Sequence, residues 1–155
     1  MEPQPVRPEL EYLCQATIKL TEQILVGNTP QGVRYVIPFT GRFVGDKLSG
    51  EVLAGGTDCV LIRPDGTVFV DARYAVKTAD GALIYIHNRG RRSASRKVHE
   101  RLASGETVDP TSYYYRLTPE FETEAEQYAW LNNIVAICSA ARLPDGVMID
   151  FYIVR

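Results

Sequence analysis

Along most of the chain, apolar residues recur at every second position. In EYLCQATIKL, Tyr12, Cys14, Ala16, Ile18 and Leu20 alternate with mostly polar neighbours, the period of a strand with one buried face. VRYVIPFTGRFVG continues the pattern with Val33, Tyr35 and Ile37; Pro38 cannot donate to a ladder and marks an edge or a bulge. A turn is predicted over Gly27–Gly32, and Gly41, Gly45, Gly50, Gly55 and Gly56 break the next stretch into short pieces. Hairpin signals then become explicit. RPDG at 63–66 separates DCVLI from TVFVDARYAVKT, TADG at 78–81 separates that run from ALIYIHN, and LPDG at 143–146 leads into VMIDFYIV. SYYYRL and the apolar run before Arg142 also read as strands. One stretch departs from the period: in SRKVHERLASG (95–105), Val98 and Leu102 lie four apart among good helix formers, and Gly105 supplies a stop.

Eight or nine strands with regular turns, one short helix and no βαβ alternation predict a mainly β protein: an irregular arm over 1–9, then a single antiparallel β-barrel domain over 10–155. A barrel is preferred to a sandwich because several strands carry polar side chains among aromatics, which suits a lumen holding a ligand.

Composition adds mainly exclusions. With 155 residues, 45% of them apolar, the chain is long enough for one full core. A net charge of −2 gives no reason to expect a nucleic-acid partner or an anionic membrane. No apolar run approaches the roughly 20 residues of a membrane helix, and MEPQPVRPELEY lacks the build of a signal peptide, so the expected location is the cytoplasm. Three scattered cysteines and two histidines, His87 and His99, match neither a disulfide framework nor a metal-ligand spacing, and no metal or other cofactor is expected. Phosphate-loop, dinucleotide and serine-elbow motifs are absent.

Candidate chemistry starts from VFVDARYAVKT. Val68, Val70, Ala72, Tyr74 and Val76 share one face; Phe69, Asp71, Arg73, Ala75 and Lys77 share the other. Asp71 and Arg73 either form a weak surface or interface ion pair, or face the lumen, where Arg73 holds an oxyanion and Asp71 moves a proton. Alternation alone leaves the choice of lumen face open. The next strand adds Tyr85 and His87 on one face and Asn88 on the other. Asp58 follows the flexible pair Gly55–Gly56. YYYRLTPEFETEAEQYAWLN concentrates Tyr114, Arg116, Glu122, Trp130 and Asn132, which fits either packing or a ring-lined pocket with a few orienting polar groups. Arg89, Arg91, Arg92, Arg96, Lys97 and Arg101 form a basic run against one acid, Glu100, read as a solvated face because no nucleic-acid motif accompanies it.

The words VGNTPQGVRYVIPFTGRFVGDKLSGEVLAGGTD, RPDGTVFVDARYAVKTADGALIYIHNRG, YYYRLTPEFET and YAWLN resemble, in order, the family known as domain of unknown function 3237, also uncharacterised protein family 0311. The resemblance runs from about Leu10 to Val154. It implies a compact lipocalin-like or allene-oxide-cyclase-like barrel, met as a homo-oligomer in bacteria and fungi, with Asp58, Asp71, Arg73, Tyr74, Tyr85, Asn88, Arg116, Glu122, Trp130 and Asn132 at motif positions. The resulting expectation is a cofactor-independent isomerase, cyclase or lyase for a small aromatic or carbonyl-containing metabolite. Asp58, Asp71, Arg73, Tyr85, Arg116 and Glu122 are its candidate catalytic groups, and Tyr74, His87, Asn88, Tyr114, Trp130 and Asn132 its candidate ligand contacts. A non-catalytic carrier or sensor, and an oligomeric scaffold, are the alternatives.

Overall fold

The computed structural model describes all 155 residues. Its strands are β1 (Leu10–Leu20), β2 (Ile24–Thr29), β3 (Gly32–Val44), β4 (Gly50–Val52), β5 (Thr57–Ile62), β6 (Val68–Thr78), β7 (Leu83–Ser93), β8 (Tyr114–Glu122), β9 (Val135–Leu143) and β10 (Gly146–Val154). One helix, α1 (Arg96–Ala103), links β7 to β8, and a 3-10 helix over Glu126–Asn133 precedes β9. Neighbours run β1-β10-β9-β8-β7-β6; β4 and β5 share the next place, then β3 pairs back onto β1 from Gln15↔Val44 to Leu20↔Phe39. The result is an antiparallel barrel of eight staves, closed on itself, with β2 added outside on β3. Closure removes the open sheet edges that would otherwise invite pairing with another chain.

The strand count exceeds the predicted eight or nine for two local reasons. Ile24, Leu25 and Val26 in β2 are all exposed, so no alternation marks them; β4 is three residues long. Pro38 sits where β3 changes partners, pairing with β2 and β5 before it and with β1 and β4 after it. A missing N–H costs little at such a changeover. The helix starts and stops at the predicted signals: the Ser95 side chain accepts the Val98 N–H at 3.3 Å, and Gly105 follows with φ +84°.

Inside, every second residue of each stave packs against the others. Phe43 and Phe151 (ring centroids 5.2 Å apart), Phe121 beside Phe151, and Phe39 edge-on to Tyr74 at 5.2 Å plug one end of the barrel. Aromatic contacts of this kind add to the area they bury. At the other end, near Val68, Arg92 and Val147, side chains are fewer and the plug gives way to open space edged by Leu102, Ala103 and Gly105 of the α1 segment. No helix is long and apolar enough to cross a membrane.

Candidate active site

The open end of the lumen encloses about 290 Å³, and a smaller space of about 40 Å³ lies beneath it; both touch Leu20, Asp58, Val70, Tyr115 and Val147. A larger depression of about 490 Å³ lies over β4 outside the barrel, but its polar groups Arg42 and Glu51 already face each other at 3.5 Å in solvent. The lumen is therefore the better candidate: concave, largely apolar, with a few converging polar groups.

Asp58 is the one carboxyl group in its wall. It faces inward because β5 keeps the two-residue period, placing Asp58, Val60 and Ile62 on the lumen side. Around it the β5–β6 ladder loosens. Pairs form at Thr57↔Arg73, Asp58↔Ala72, Leu61↔Phe69 and Ile62↔Val68, and the two positions between are skipped. The released groups find other partners: the Asp71 N–H donates to Asp58 Oδ1 at 3.0 Å, and Arg34 Nη1 donates to the Cys59 carbonyl at 2.9 Å. Burial pushes the Asp58 carboxyl up from 3.8 to about 6; the Asp71 amide pulls it down and the Asp71 carboxylate pushes it up further. Such a group is partly protonated near neutral pH and able both to give and to accept a proton.

Asp58, Ala72 and Asn88 lie in one row across β5, β6 and β7. The small Ala72 side chain leaves room between the two polar groups. Asn88 is only 2% exposed; its amide nitrogen reaches Cys138 Sγ at 3.9 Å, and its Oδ1 has no partner. Buried polar atoms are rarely left unpaired, so Asn88 Oδ1 marks a place for a donor. Tyr74 shares this floor, and burial holds its hydroxyl well above its ordinary value.

The mouth is basic. Arg92 from β7 and Arg142 from β9 stand on either side of β8, whose Tyr115 points inward between them. The Arg92 guanidinium lies over the Tyr115 ring at 5.7 Å, and its sheltered Nε lacks an acceptor. Arg142 Nη1 donates to the Gly146 carbonyl at 2.9 Å, and the Tyr113 hydroxyl accepts its backbone N–H at 2.9 Å. Burial, then repulsion from Arg142, lowers the Arg92 value, while burial holds the Tyr115 phenol at about 12. No three His, Cys, Asp or Glu side chains converge to form a metal-binding cluster.

The remaining sequence candidates lie elsewhere. The lumen face of β6 is the apolar one, Val68 to Val76, so Asp71 and Arg73 look outward, which corrects the reading that sheltered them inside. An eight-stave interior is narrow enough for side chains to fill, and hydrocarbon claims that face. On the outer wall Asp71 Oδ1 meets His87 Nε2 at 2.7 Å, and Arg73 Nη1 donates to the Tyr85 hydroxyl at 3.0 Å, with Tyr85 37% exposed. Tyr114, Arg116 and Glu122 occupy the outward positions of β8, with the Arg116 guanidinium 5.6 Å from the Tyr114 ring centre. Asn132 closes a loop outside, accepting the Thr123 N–H at 2.9 Å and donating to the Thr123 carbonyl at 2.9 Å. Trp130 packs on the core from the 3-10 helix, bordering a surface hollow with Lys47 and Arg155. Of the twelve candidates, Asp58, Tyr74 and Asn88 line the lumen. Arg92, Arg142 and Tyr115 were not among the candidates, although the two-residue period carries Ile84, Ile86 and Asn88 on to Arg92, and Ala136, Cys138 and Ala140 on to Arg142.

The family described as "Protein of unknown function (DUF3237)" matches residues 8–154. The chain belongs to this family. A UPF0311 protein of Clostridium acetobutylicum is 42% identical over 144 residues, 92% of this chain and 91% of that protein. Crystal structures of DUF3237-like barrels agree in shape. One from Clostridium acetobutylicum has a TM-score of 0.89 at 38% identity over 98% of this chain and all of the other, and one from Rhodopseudomonas palustris has 0.91 at 36% over 97% and all of the other. A more distant relative of this DUF3237 chain, 27% identical over 96% of it and 85% of the relative, is the "Hydroalkoxylation enzyme phnH" of Penicillium herquei.

Proposed function

We propose that the protein is an enzyme that performs acid–base chemistry with its own side chains on a small unsaturated, aromatic or carbonyl-bearing molecule held in the barrel mouth. One observation carries the reading: Asp58, the only carboxyl group of the lumen wall, has its value raised to about 6 beside a cavity large enough for two fused rings. Pockets that hold a displaced titratable group are where proton transfer is concentrated.

The named activity of the Penicillium herquei relative suggests a reaction class. Hydroalkoxylation adds an alcohol O–H across a C=C bond. In the corresponding scheme Asp58 gives its proton to one alkene carbon, the substrate hydroxyl oxygen forms the new C–O bond at the other, and the hydroxyl proton returns to Asp58. Nothing is oxidised or reduced, and the carboxyl group ends as it began. The aromatic plug closes one end of the lumen, so water reaches the reacting carbons only through the mouth.

The test is a panel of alkenyl phenols in which a hydroxyl faces a double bond, with cyclic ether formation followed by chiral chromatography. Turnover should fall at least about 100-fold in Asp58→Asn, the usual loss when a general acid is removed. Equal turnover in that variant would remove Asp58 from the chemistry. Tight binding of panel members with no turnover of any would favour a carrier.

A further inference from the structure

We infer that the barrel mouth selects flat, mostly apolar molecules bearing a carboxylate or enolate oxygen, which Arg92 and Arg142 grip together. The inference rests on the reading of this cavity as the substrate site and names the class of molecule admitted.

The first support is a contrast among the arginines. Arg42, Arg63, Arg89, Arg96, Arg101 and Arg155 are each within 4.0 Å of a carboxylate, in solvent-exposed pairs. Arg34, Arg73, Arg91 and Arg116 also lack an acid, but they lie off the lumen against a carbonyl, a hydroxyl or a ring. Arg92 and Arg142 are the arginines that line the lumen, where the cost of an unpaired charge is highest, and neither pairs with an acid. Arg142 is held in place by its bond to the Gly146 carbonyl. Arg92 is held over Tyr115 with its Nε sheltered and unoccupied. Two guanidinium groups on either side of one strand, each with donors to spare, suit a delocalised oxyanion, whose planar oxygens match the planar donor fork.

Charge within the cavity points the same way. One acid, Asp58, faces two cations in the wall, so the cavity keeps a net positive charge whether or not that acid is ionised. Below the arginines the wall turns apolar through Val70, Tyr115, Val147 and Ile149, and ends at the free Asn88 Oδ1. A cationic rim, an apolar shaft and a buried acceptor describe a molecule with an anionic head, a flat body and a hydroxyl at its far end.

The experiment measures binding by calorimetry with two isosteric probes, 2-naphthoate and 2-naphthamide. The acid anion is expected to bind at least tenfold more tightly than the neutral amide. Arg92→Gln and Arg142→Gln should each erase most of that preference, whereas Arg92→Lys should retain part of it and Arg73→Gln, on the outer wall, all of it. Circular dichroism on each variant separates lost binding from lost folding. Inorganic phosphate, which offers charge without an apolar body, should not displace naphthoate at equal concentration. Equal binding of the two probes, no binding of either at millimolar concentration, displacement by phosphate, or a preference that survives both glutamine variants would overturn the inference. Asp58→Asn should keep the naphthoate preference while losing turnover. A lost preference with Asp58-dependent turnover intact defeats only this inference, and the reverse result defeats only the acid role.

Discussion

The backbone amide of Asp71 donates to the Asp58 carboxylate at 3.0 Å, while the Asp71 side chain turns the other way to meet His87 at 2.7 Å. One residue thus serves both surfaces of the barrel wall. Its main chain steadies the acid of the lumen, and its side chain takes part in an outer-wall network that the cavity does not use. The skipped ladder positions between β5 and β6 make this possible, because an amide already bonded across a sheet has nothing to offer a side chain.

The buried acid sets a stability signature. The native value of Asp58, about 6, lies above its ordinary 3.8. Well below 3.8 the carboxyl group is neutral in folded and unfolded chains alike, and its full contribution is present; at pH 4 most of it remains. As pH rises through about 6 the folded protein must hold a sheltered anion, and that contribution is lost. Asp58→Asn keeps an acceptor for the Asp71 amide and has no charge to bury. Denaturant titrations at pH 4 and pH 8 should therefore show the variant gaining on the wild type by roughly 1–3 kcal/mol at the higher pH. Asp71, Arg92 and Arg142 stand near the site in both proteins, so their contributions largely cancel in the difference. A difference independent of pH would mean that Asp58 titrates as an exposed acid.

The outer cluster should be dispensable. Arg73 is exposed and touches Tyr85 rather than the lumen, and exposed polar pairs contribute little. Arg73→Ala is expected to leave both the denaturation midpoint and turnover within experimental scatter of the wild type. A large loss of turnover would require the outer wall to take part in the reaction.

Much of this architecture was legible in the chain. Period-two alternation, RPDG, TADG and LPDG, and the Ser95 to Gly105 helix signals are local codes that fixed-geometry turns and caps must obey. Closure into a barrel was legible in the polar side chains interleaved with aromatics along several strands, and the family words agree with it. What alternation does not carry is which face turns inward: Val68 to Val76 and Phe69 to Lys77 have the same period, and the answer comes from the volume of a closed eight-stave interior. Asp58 is marked by the glycine pair before it, and Tyr74 and Asn88 by the motif words, which also pick out seven residues that lie outside the lumen. Arg92 and Arg142 were hidden by neighbours, one inside a basic run and the other beside a turn, although their parity with Asn88 and Ala140 places both on inward positions.

Gly90 is one of the tightest places in the wall. On the inward side of β7, a Cβ there would sit 2.1 Å from the Arg116 carbonyl oxygen and 2.6 Å from the Leu117 Cα, both main-chain atoms that cannot swing aside. Gly90→Ala should force β7 and β8 apart beside Arg92 and cost about 2 kcal/mol or more. Thermal melts would reveal this as a clear drop in midpoint; an unchanged midpoint would mean that the strands are not packed so closely.

The aromatic plug should matter for folding and little for ligand choice. Phe151 is fully buried between Phe43 and Phe121, away from the residues that line the mouth. Phe151→Ala is expected to cost about 3–5 kcal/mol, read by denaturant unfolding, with the naphthoate preference intact in whatever fraction remains folded. Loss of that preference in folded protein would show that the plug shapes the mouth.

The acid role also dictates how rate depends on pH. A general acid works only while it holds its proton, so with Asp58 near 6 in the free protein, kcat/KM for any substrate that must be protonated should level off below that value and fall about tenfold per pH unit above it. The direction discriminates between roles, because a base at the same position would give the mirror image, rising to a plateau on the alkaline side. Asp58→Glu tests the same point by geometry. A carboxyl group one methylene longer keeps the chemistry but reaches beyond the Asp71 amide, so it should retain a measurable fraction of turnover and the acid-limb profile, with a shifted midpoint. A flat profile between pH 5 and 8 in the wild type would mean that the proton comes from somewhere other than this carboxyl group.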